Sequence, residues 1–257
     1  TPGTPHPIDL AEQDWHLRPY QRQAVDAFTD GGSGVVVLPC GAGKTLVGAG
    51  AMADTKTTTL ILVTNTVSAR QWRDELLKRT SLTPEEIGEY SGQAKEVKPV
   101  TIATYQILTA KRKGQYAHLA LLDALDWGLI VYDEVHLLPA PVFKLTADLQ
   151  ARRRLGLTAT LVREDERISD LHFLIGPKLY EANWQDLASQ GHLARVQCVE
   201  VWTHMTPEFY REYLKATGMA EGSEYSQPKR RQLRKMSTQS MRSASSEPSR
   251  SFASTVA

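Results

Sequence analysis

The sequence predicts an α/β fold, a doubly wound and mostly parallel sheet. Three observations carry that reading. Apolar, β-branched runs alternate with helical stretches across short connections, the pattern of successive βα units. The runs are almost continuously hydrophobic, as in strands covered on both faces. Polar residues suited to chemistry collect just after those runs, at the carboxyl ends where open parallel sheets bind ligands.

Residues 1–14 read as an extended lead-in. A helix follows from Pro19, whose fixed φ suits a first turn. Tyr20, Ala24, Ala27 and Phe28 share one face at helical spacing. Gln21 opens that helix. Its amide donates and accepts, which suits the edge of adenine; spacing alone favours an ordinary surface glutamine. Asp30–Gly34 is a loop.

The central stretch is Val35-Val36-Val37-Leu38-Pro39-Cys40-Gly41-Ala42-Gly43-Lys44-Thr45. A strand runs into a glycine turn, and the small apolar residues Leu46–Ala53 continue as a buried helix. Gly41 and Gly43 allow a tight turn that aims backbone N–H groups at phosphate oxygens. The helix N-terminus adds its dipole. Lys44 would reach the β- and γ-phosphates of ATP, and the Thr45 hydroxyl would bind Mg²⁺. The strict phosphate-loop pattern places glycine where this chain has Leu38. A plain strand–turn–helix junction with a surface lysine is the competing reading.

Thr57–Thr64 is a second buried strand, followed by a turn at Asn65–Ser68 and a helix over Ala69–Lys78. Trp72, Leu76 and Leu77 form the apolar side of that helix. Thr64 and Arg70 lie where strand gives way to helix, a position suited either to a phosphodiester backbone or to capping and solvation. Thr83–Glu89 reads as a short helix or turn. Val97–Thr104 is a third strand, with Thr104 at its ligand end. Lys111–Tyr116 is a basic loop and Leu119–Leu125 a short apolar helix.

Trp127–His136 is the second strong feature, an apolar strand ending in Asp133-Glu134 about ninety residues beyond the glycine turn. Asp133 at such a strand end is held rigidly near Mg²⁺, and Glu134 can polarise a water in line with the γ-phosphate. Arg152–Thr160 is another strand entry, with Thr158 and Thr160 placed to hydrogen-bond Glu134 or His136. Ile168–Leu179 and Asn183–Gln190 read as helices broken at Gly176-Pro177. Arg195–Trp202 alternates like a half-exposed strand, and Thr206–Ala216 is a capped helix. From residue 222 to 257 seven Lys/Arg face two Glu, about +5. That composition predicts a disordered, basic Ser/Arg-rich tail.

Bulk properties set outer limits. The 257 residues hold one large or two modest domains, and 41% hydrophobic content supports a real core. A net charge of +1 excludes a global basic field. Two cysteines, Cys40 and Cys198, make no metal or disulfide framework and point to a reducing, intracellular compartment. No apolar run is long enough to cross a membrane.

Leu17-Arg18-Pro19-Tyr20-Gln21, the Leu38–Thr45 turn, Asp133-Glu134-Val135-His136 and Leu155-Gly156-Leu157-Thr158-Ala159-Thr160 together resemble the first half of a superfamily-two helicase. Leu161–Asp165 and Ile175–Trp184 further resemble the XPB family of DNA repair helicases. The resemblance spans about Trp15 to Leu214. It implies a RecA-like ATP-binding lobe over 15–195, a link toward a second helicase domain over 196–221, and ATP-driven, three-prime-to-five-prime movement on DNA. It implies that Gln21 reads adenine and that Leu38, Pro39, Cys40, Gly41, Ala42, Gly43, Lys44 and Thr45 hold the nucleotide. Thr45 and Asp133 would serve Mg²⁺. Glu134 would act as base, with Lys44 as its catalytic partner on the phosphates. His136, Thr158 and Thr160 would couple hydrolysis to DNA. Thr64, Arg70, Thr104, Arg163, Glu164 and Asp165 would face DNA. Leu38 then fits the helicase form of the phosphate loop.

Family members carry a second RecA-like domain with arginine fingers, and no such motif follows Leu214. An arginine finger is worth roughly 10³–10⁵ in rate. The expectation is a lobe that binds ATP, hydrolyses it poorly and does not unwind DNA alone. Two other readings stand beside it. One is the motor lobe of a restriction-type double-stranded DNA translocase. The other is a non-catalytic ATP-binding or interaction module.

Overall fold

The computed structural model describes residues 2–112, 114–137, 151–160 and 172–194, together with residues 206, 208, 209, 211 and 213. The chain divides into two compact units, Thr1–Arg195 and Val196–Ala257.

The first unit is built on a seven-stranded sheet. Its strands are β1 (Ser33–Val37), β2 (Thr59–Val63), β3 (Ile87–Tyr90), β4 (Val100–Thr104), β7 (Leu129–Asp133), β8 (Arg153–Thr158) and β9 (Lys178–Glu181). A separate two-stranded antiparallel hairpin, β5 (Lys111–Arg112) with β6 (Gln115–Tyr116), replaces the loop expected there. The large sheet has the order β3-β4-β2-β7-β8-β1-β9, and every pairing in it is parallel. The helices are α1 (Pro19–Gly31), α2 (Lys44–Thr55), α3 (Thr66–Arg79), α4 (Tyr105–Thr109) and α5 (Trp184–Ser189).

The two-residue period of the strands splits the core into two layers. Val36, Ile61, Val63, Leu129, Val131, Leu155 and Leu157 face one way and pack with α1, α2 and α3. Val35, Val37, Leu60, Leu62, Ile130 and Tyr132 face the other way, against Tyr105, Leu108, Leu121 and Trp127. The doubly wound sheet expected from the sequence is therefore the one observed.

Two strands of the large sheet went unread in the sequence. Thr83–Glu89 was expected as a short helix or turn, but its second half enters β3, which pairs with β4 from Ile87↔Val100 onward. Ile168–Leu179 was expected as helix. Its described part has only a helical turn at 172–174, and the chain then enters β9 beside β1. Both are edge strands of four residues, too short for a periodic signal to outweigh their neighbours. Close packing at Gly34 accompanies β9, since a Cβ there would meet Pro177 O at 2.4 Å.

The lead-in is extended and anchored. Thr4 N–H donates to Asp126 O at 3.1 Å, His6 N–H to Lys56 O at 3.0 Å, and Ala11 N–H to Arg79 O at 2.9 Å. Ile8 is completely buried in the α1–α3 layer. Ile8→Ala should cost about 2–5 kcal/mol, the usual range for emptying such a site, and urea unfolding reads it directly. An unchanged midpoint would show that the lead-in adds nothing to stability.

In the second unit Thr206 Oγ1 accepts from Phe209 N–H at 3.3 Å, a helix-capping contact. The strand expected over Arg195–Trp202 and the tail over 222–257 lie outside the described residues.

Candidate nucleotide site

Three neighbouring strand ends assemble the site. β8 lies between β1 and β7, with Val37 opposite Thr158 and Asp133 opposite Leu157. The glycine turn leaves β1, Thr158 ends β8, and Asp133 ends β7. Residues separated by more than a hundred positions therefore meet along one edge.

The turn over Leu38–Gly43 requires its glycines. Gly41 and Gly43 both have φ near +79°, a region that L side chains rarely adopt. A Cβ on Gly43 would also come within 2.5 Å of Gln21 Nε2. Leu38 and Ala42 are fully buried, so they shape the turn from within. Leu38 N–H donates to Thr158 O at 2.9 Å, tying the turn to β8. Pro39 is half-buried, and Cys40 and Gly41 are exposed. α2 starts at Lys44 with Gly43 as its left-handed N-cap, leaving its first backbone N–H groups to face the turn.

Gln21 is only 2% exposed, which removes the surface reading that spacing favoured. Its Oε1 accepts from Arg18 N–H at 2.9 Å, and its Nε2 donates to Ala42 O at 2.9 Å. Tyr20 donates its hydroxyl to the same oxygen at 2.8 Å. The start of α1 thus clamps the glycine turn.

Glu134 sits at φ +48°, a strained conformation for a non-glycine residue. The turn swings its carboxylate toward α2, where Oε1 lies 3.2 Å from Lys44 Nζ. Its Oε2 lies 3.5 Å from His136 Nδ1. That same nitrogen lies 2.7 Å from Thr158 Oγ1. Thr158 donates its only hydroxyl proton to Thr160 O at 2.6 Å, so in this network His136 Nδ1 is the donor. Thr160 N–H closes the loop onto Thr158 Oγ1 at 3.2 Å. Of the two threonines expected to meet Glu134 or His136, Thr158 meets His136 directly, and Thr160 is joined to it through Thr158.

Asp133 shares the strand parity of Leu129 and Val131, so it faces the α3 layer. Its Oδ2 accepts from Trp72 Nε1–H at 3.0 Å. Tyr105 donates its hydroxyl to the Asp133 carbonyl at 2.9 Å. Burial pushes the Asp133 carboxyl above its usual range; the Trp72 bond pulls it back, the Glu134 charge raises it, and Lys44 lowers it. Burial, then the charge of Asp133, pushes the Tyr105 phenol up. Trp72 had been visible only as an apolar residue of its helix, because a ring's polar edge leaves no periodic trace.

The expected DNA-facing residues divide. Arg70 is exposed and donates from Nη2 to Gln93 Oε1 at 3.2 Å. Thr64 is half-buried, and its carbonyl accepts from Gln106 Nε2 at 2.5 Å. Thr104, at the end of a strand buried at all five positions, is 4% exposed. Beyond it a cavity of about 240 Å³ is lined by Thr64, Tyr105, Gln106, Thr109 and Leu137. Arg163, Glu164 and Asp165 lie outside the described residues.

Among the described residues no cluster of three or more His, Cys, Asp or Glu could hold a metal by itself. Mg²⁺ asks for less. It keeps several waters and binds through one or two protein oxygens plus phosphates. The Thr45 hydroxyl and Asp133 carboxylate are hard oxygen donors of that kind, so the residues fit the ion. No helix among the described residues is long and apolar enough to cross a membrane.

Comparison with known proteins follows the same lines. The family model described as type III restriction enzyme, res subunit, matches residues 14–163, more than half of the chain. A second, the ERCC3/RAD25/XPB C-terminal helicase, matches residues 187–236 and so extends into the basic segment. The chain is 74% identical over 199 residues to the DNA 3'-5' helicase XPB of Kineococcus radiotolerans, covering 77% of this chain and 36% of that protein. It is 65% identical over 204 residues to the protein of the same name from Mycobacterium tuberculosis, covering 79% and 37%. It is 46% identical over 220 residues to the transcription and DNA repair factor IIH subunit XPB of Schizosaccharomyces pombe, covering 81% and 27%. The chain thus spans about a third of the length of the curated relatives it matches. The fold is similar to the UvsW helicase of bacteriophage T4, with TM-score 0.55, 19% identity, and coverage of 68% and 63%. It is also similar to the Hef helicase domain of Pyrococcus furiosus, with TM-score 0.53, 22% identity, and coverage of 89% and 54%. The chain belongs to the family described as type III restriction enzyme, res subunit, and is similar, at 74% and 65% identity, to helicases of the XPB type.

Proposed function

We propose that this chain is the ATP-binding lobe of an ATP-dependent 3'-5' DNA helicase or translocase of the XPB type. The observation that supports this best is the meeting of three adjacent strand ends: Lys44 after β1, Thr158 at β8, and Asp133-Glu134 at β7. Lys44 and the first N–H groups of α2 would bind the phosphates. Thr45 and Asp133 would hold Mg²⁺, which supplies charge neutralisation on the phosphate oxygens. Glu134 would take a proton from the attacking water. His136, placed between Glu134 and Thr158, would report the state of the site to β8. Gln21, whose amide is anchored to Arg18 and Ala42, would read the adenine edge. Thr64, Arg70 and the cavity bounded by Gln106 are suited to a sugar–phosphate backbone without reading sequence.

The 74% and 65% identities to proteins named DNA 3'-5' helicase XPB favour that type over a restriction-type motor. The partners proposed are DNA and a second RecA-like domain, and the compartment is intracellular and reducing. An ATP-binding lobe without an arginine finger beside the phosphates is expected to bind ATP and to turn it over slowly by itself. Steady-state ATP turnover with and without DNA tests this. Slow turnover that DNA raises supports the reading; fast turnover indifferent to DNA contradicts it.

A further inference from the structure

We propose that Trp72 is a positioning residue for the metal-binding carboxylate, its indole N–H fixing Asp133 so that one oxygen stays aimed at Mg²⁺. This rests on the nucleotide-site reading above and adds a residue to it from a different element. The geometry is direct. Trp72 Nε1–H donates to Asp133 Oδ2 at 3.0 Å. The ring is 2% exposed within the core shared by α1, α2 and α3. It cannot swing freely, because α2 passes over it at Gly48. A Cβ on Gly48 would lie 2.4 Å from Trp72 Cη2. Packing from α2 therefore fixes the ring, and the ring fixes the carboxylate.

The chemistry explains why a donor belongs there. Asp133 ends a buried strand, where a carboxylate loses hydration. A neutral N–H donor stabilises the charged form and occupies one oxygen without competing as a cation would. The second anchor, Tyr105 on the Asp133 carbonyl, fixes the backbone of the same residue. Tyr105 thus holds the backbone of Asp133 and Trp72 its side chain. Groups that orient a metal ligand in this way typically change metal affinity 10–100-fold when removed.

Trp72→Phe keeps an aromatic ring in the core and deletes the donor. Binding of a fluorescent ATP analogue is measured in EDTA and then across a Mg²⁺ titration. The expected result is unchanged affinity in EDTA, with half-saturating Mg²⁺ raised about tenfold. Equal weakening with and without Mg²⁺ would mean that Trp72 only supports the fold, and no change in either would also overturn the proposal. If the unsubstituted chain binds no analogue, the nucleotide-site reading fails and this one with it. If that chain binds with Mg²⁺ dependence and Trp72→Phe matches it, only the present proposal fails. A second readout stands if Trp72→Phe does not fold. The chain has five tryptophans, and in a ¹⁵N-labelled sample the indole N–H resonance that Asp133→Asn displaces should also shift when Mg²⁺ joins bound nucleotide. An indole spectrum unmoved by Asp133→Asn overturns the proposal.

Discussion

Glu134→Gln is expected to lower ATP turnover by about 10²–10⁴ while leaving nucleotide affinity within about twofold. That range is what a positioned general base contributes. The split between rate and binding follows from the geometry. Glu134 is held at φ +48° with its carboxylate near Lys44 and His136, at the end of the strand that also carries Asp133. Glutamine keeps the size and the hydrogen-bonding oxygen, so the turn at Val135 and the contact with Lys44 survive. What disappears is the capacity to accept a proton. Parallel turnover and binding titrations measure the two quantities. A variant that hydrolyses at the unsubstituted rate would remove Glu134 from the chemistry. One that loses binding equally would recast it as a structural residue.

Lys44→Ala is the second large effect, and it acts on binding. A charge-assisted hydrogen bond contributes about 1.5–3 kcal/mol, so losing one phosphate contact should weaken ATP about 10- to 150-fold. The substitution also leaves Glu134 without its cationic neighbour at 3.2 Å. Alanine is a good helix former, so α2 should start normally and thermal stability should change little. The check is a nucleotide titration beside a thermal melt. Undiminished affinity in a folded variant would show that the lysine contacts no phosphate.

How far the sequence disclosed this site depends on the residue. Lys44, Asp133 and Glu134 were legible because they sit at strand ends flanked by long apolar runs, and a parallel sheet brings such ends to one edge. Thr158 and His136 were legible as partners for the same reason. Gln21 was misplaced by spacing alone. Its burial depends on the turn at Ala42, which accepts from both Gln21 and Tyr20 and lies 21 residues beyond Gln21. Trp72 was assigned to the core, correctly for its ring and incompletely for its N–H. Periodicity reports which face a residue occupies, but not which atom of an amphipathic ring meets a polar neighbour. Thr104 was placed at the end of its strand, where the structure has it, but its burial was not legible, since every position of β4 is buried. β3 and β9 were missed as short edge strands, whose pairing depends on β4 and β1 more than on their own composition. The basic segment from residue 222 was grouped by composition, whereas the XPB C-terminal helicase match runs to residue 236.

The central claim is that the ends of β1, β8 and β7 form one nucleotide site. Isothermal calorimetry of ATP with Mg²⁺ against the unsubstituted chain tests it most directly. One nucleotide bound per chain, with affinity lost in Lys44→Ala, is the predicted result. No saturable binding at millimolar ATP, or binding that Lys44→Ala leaves intact, would contradict it.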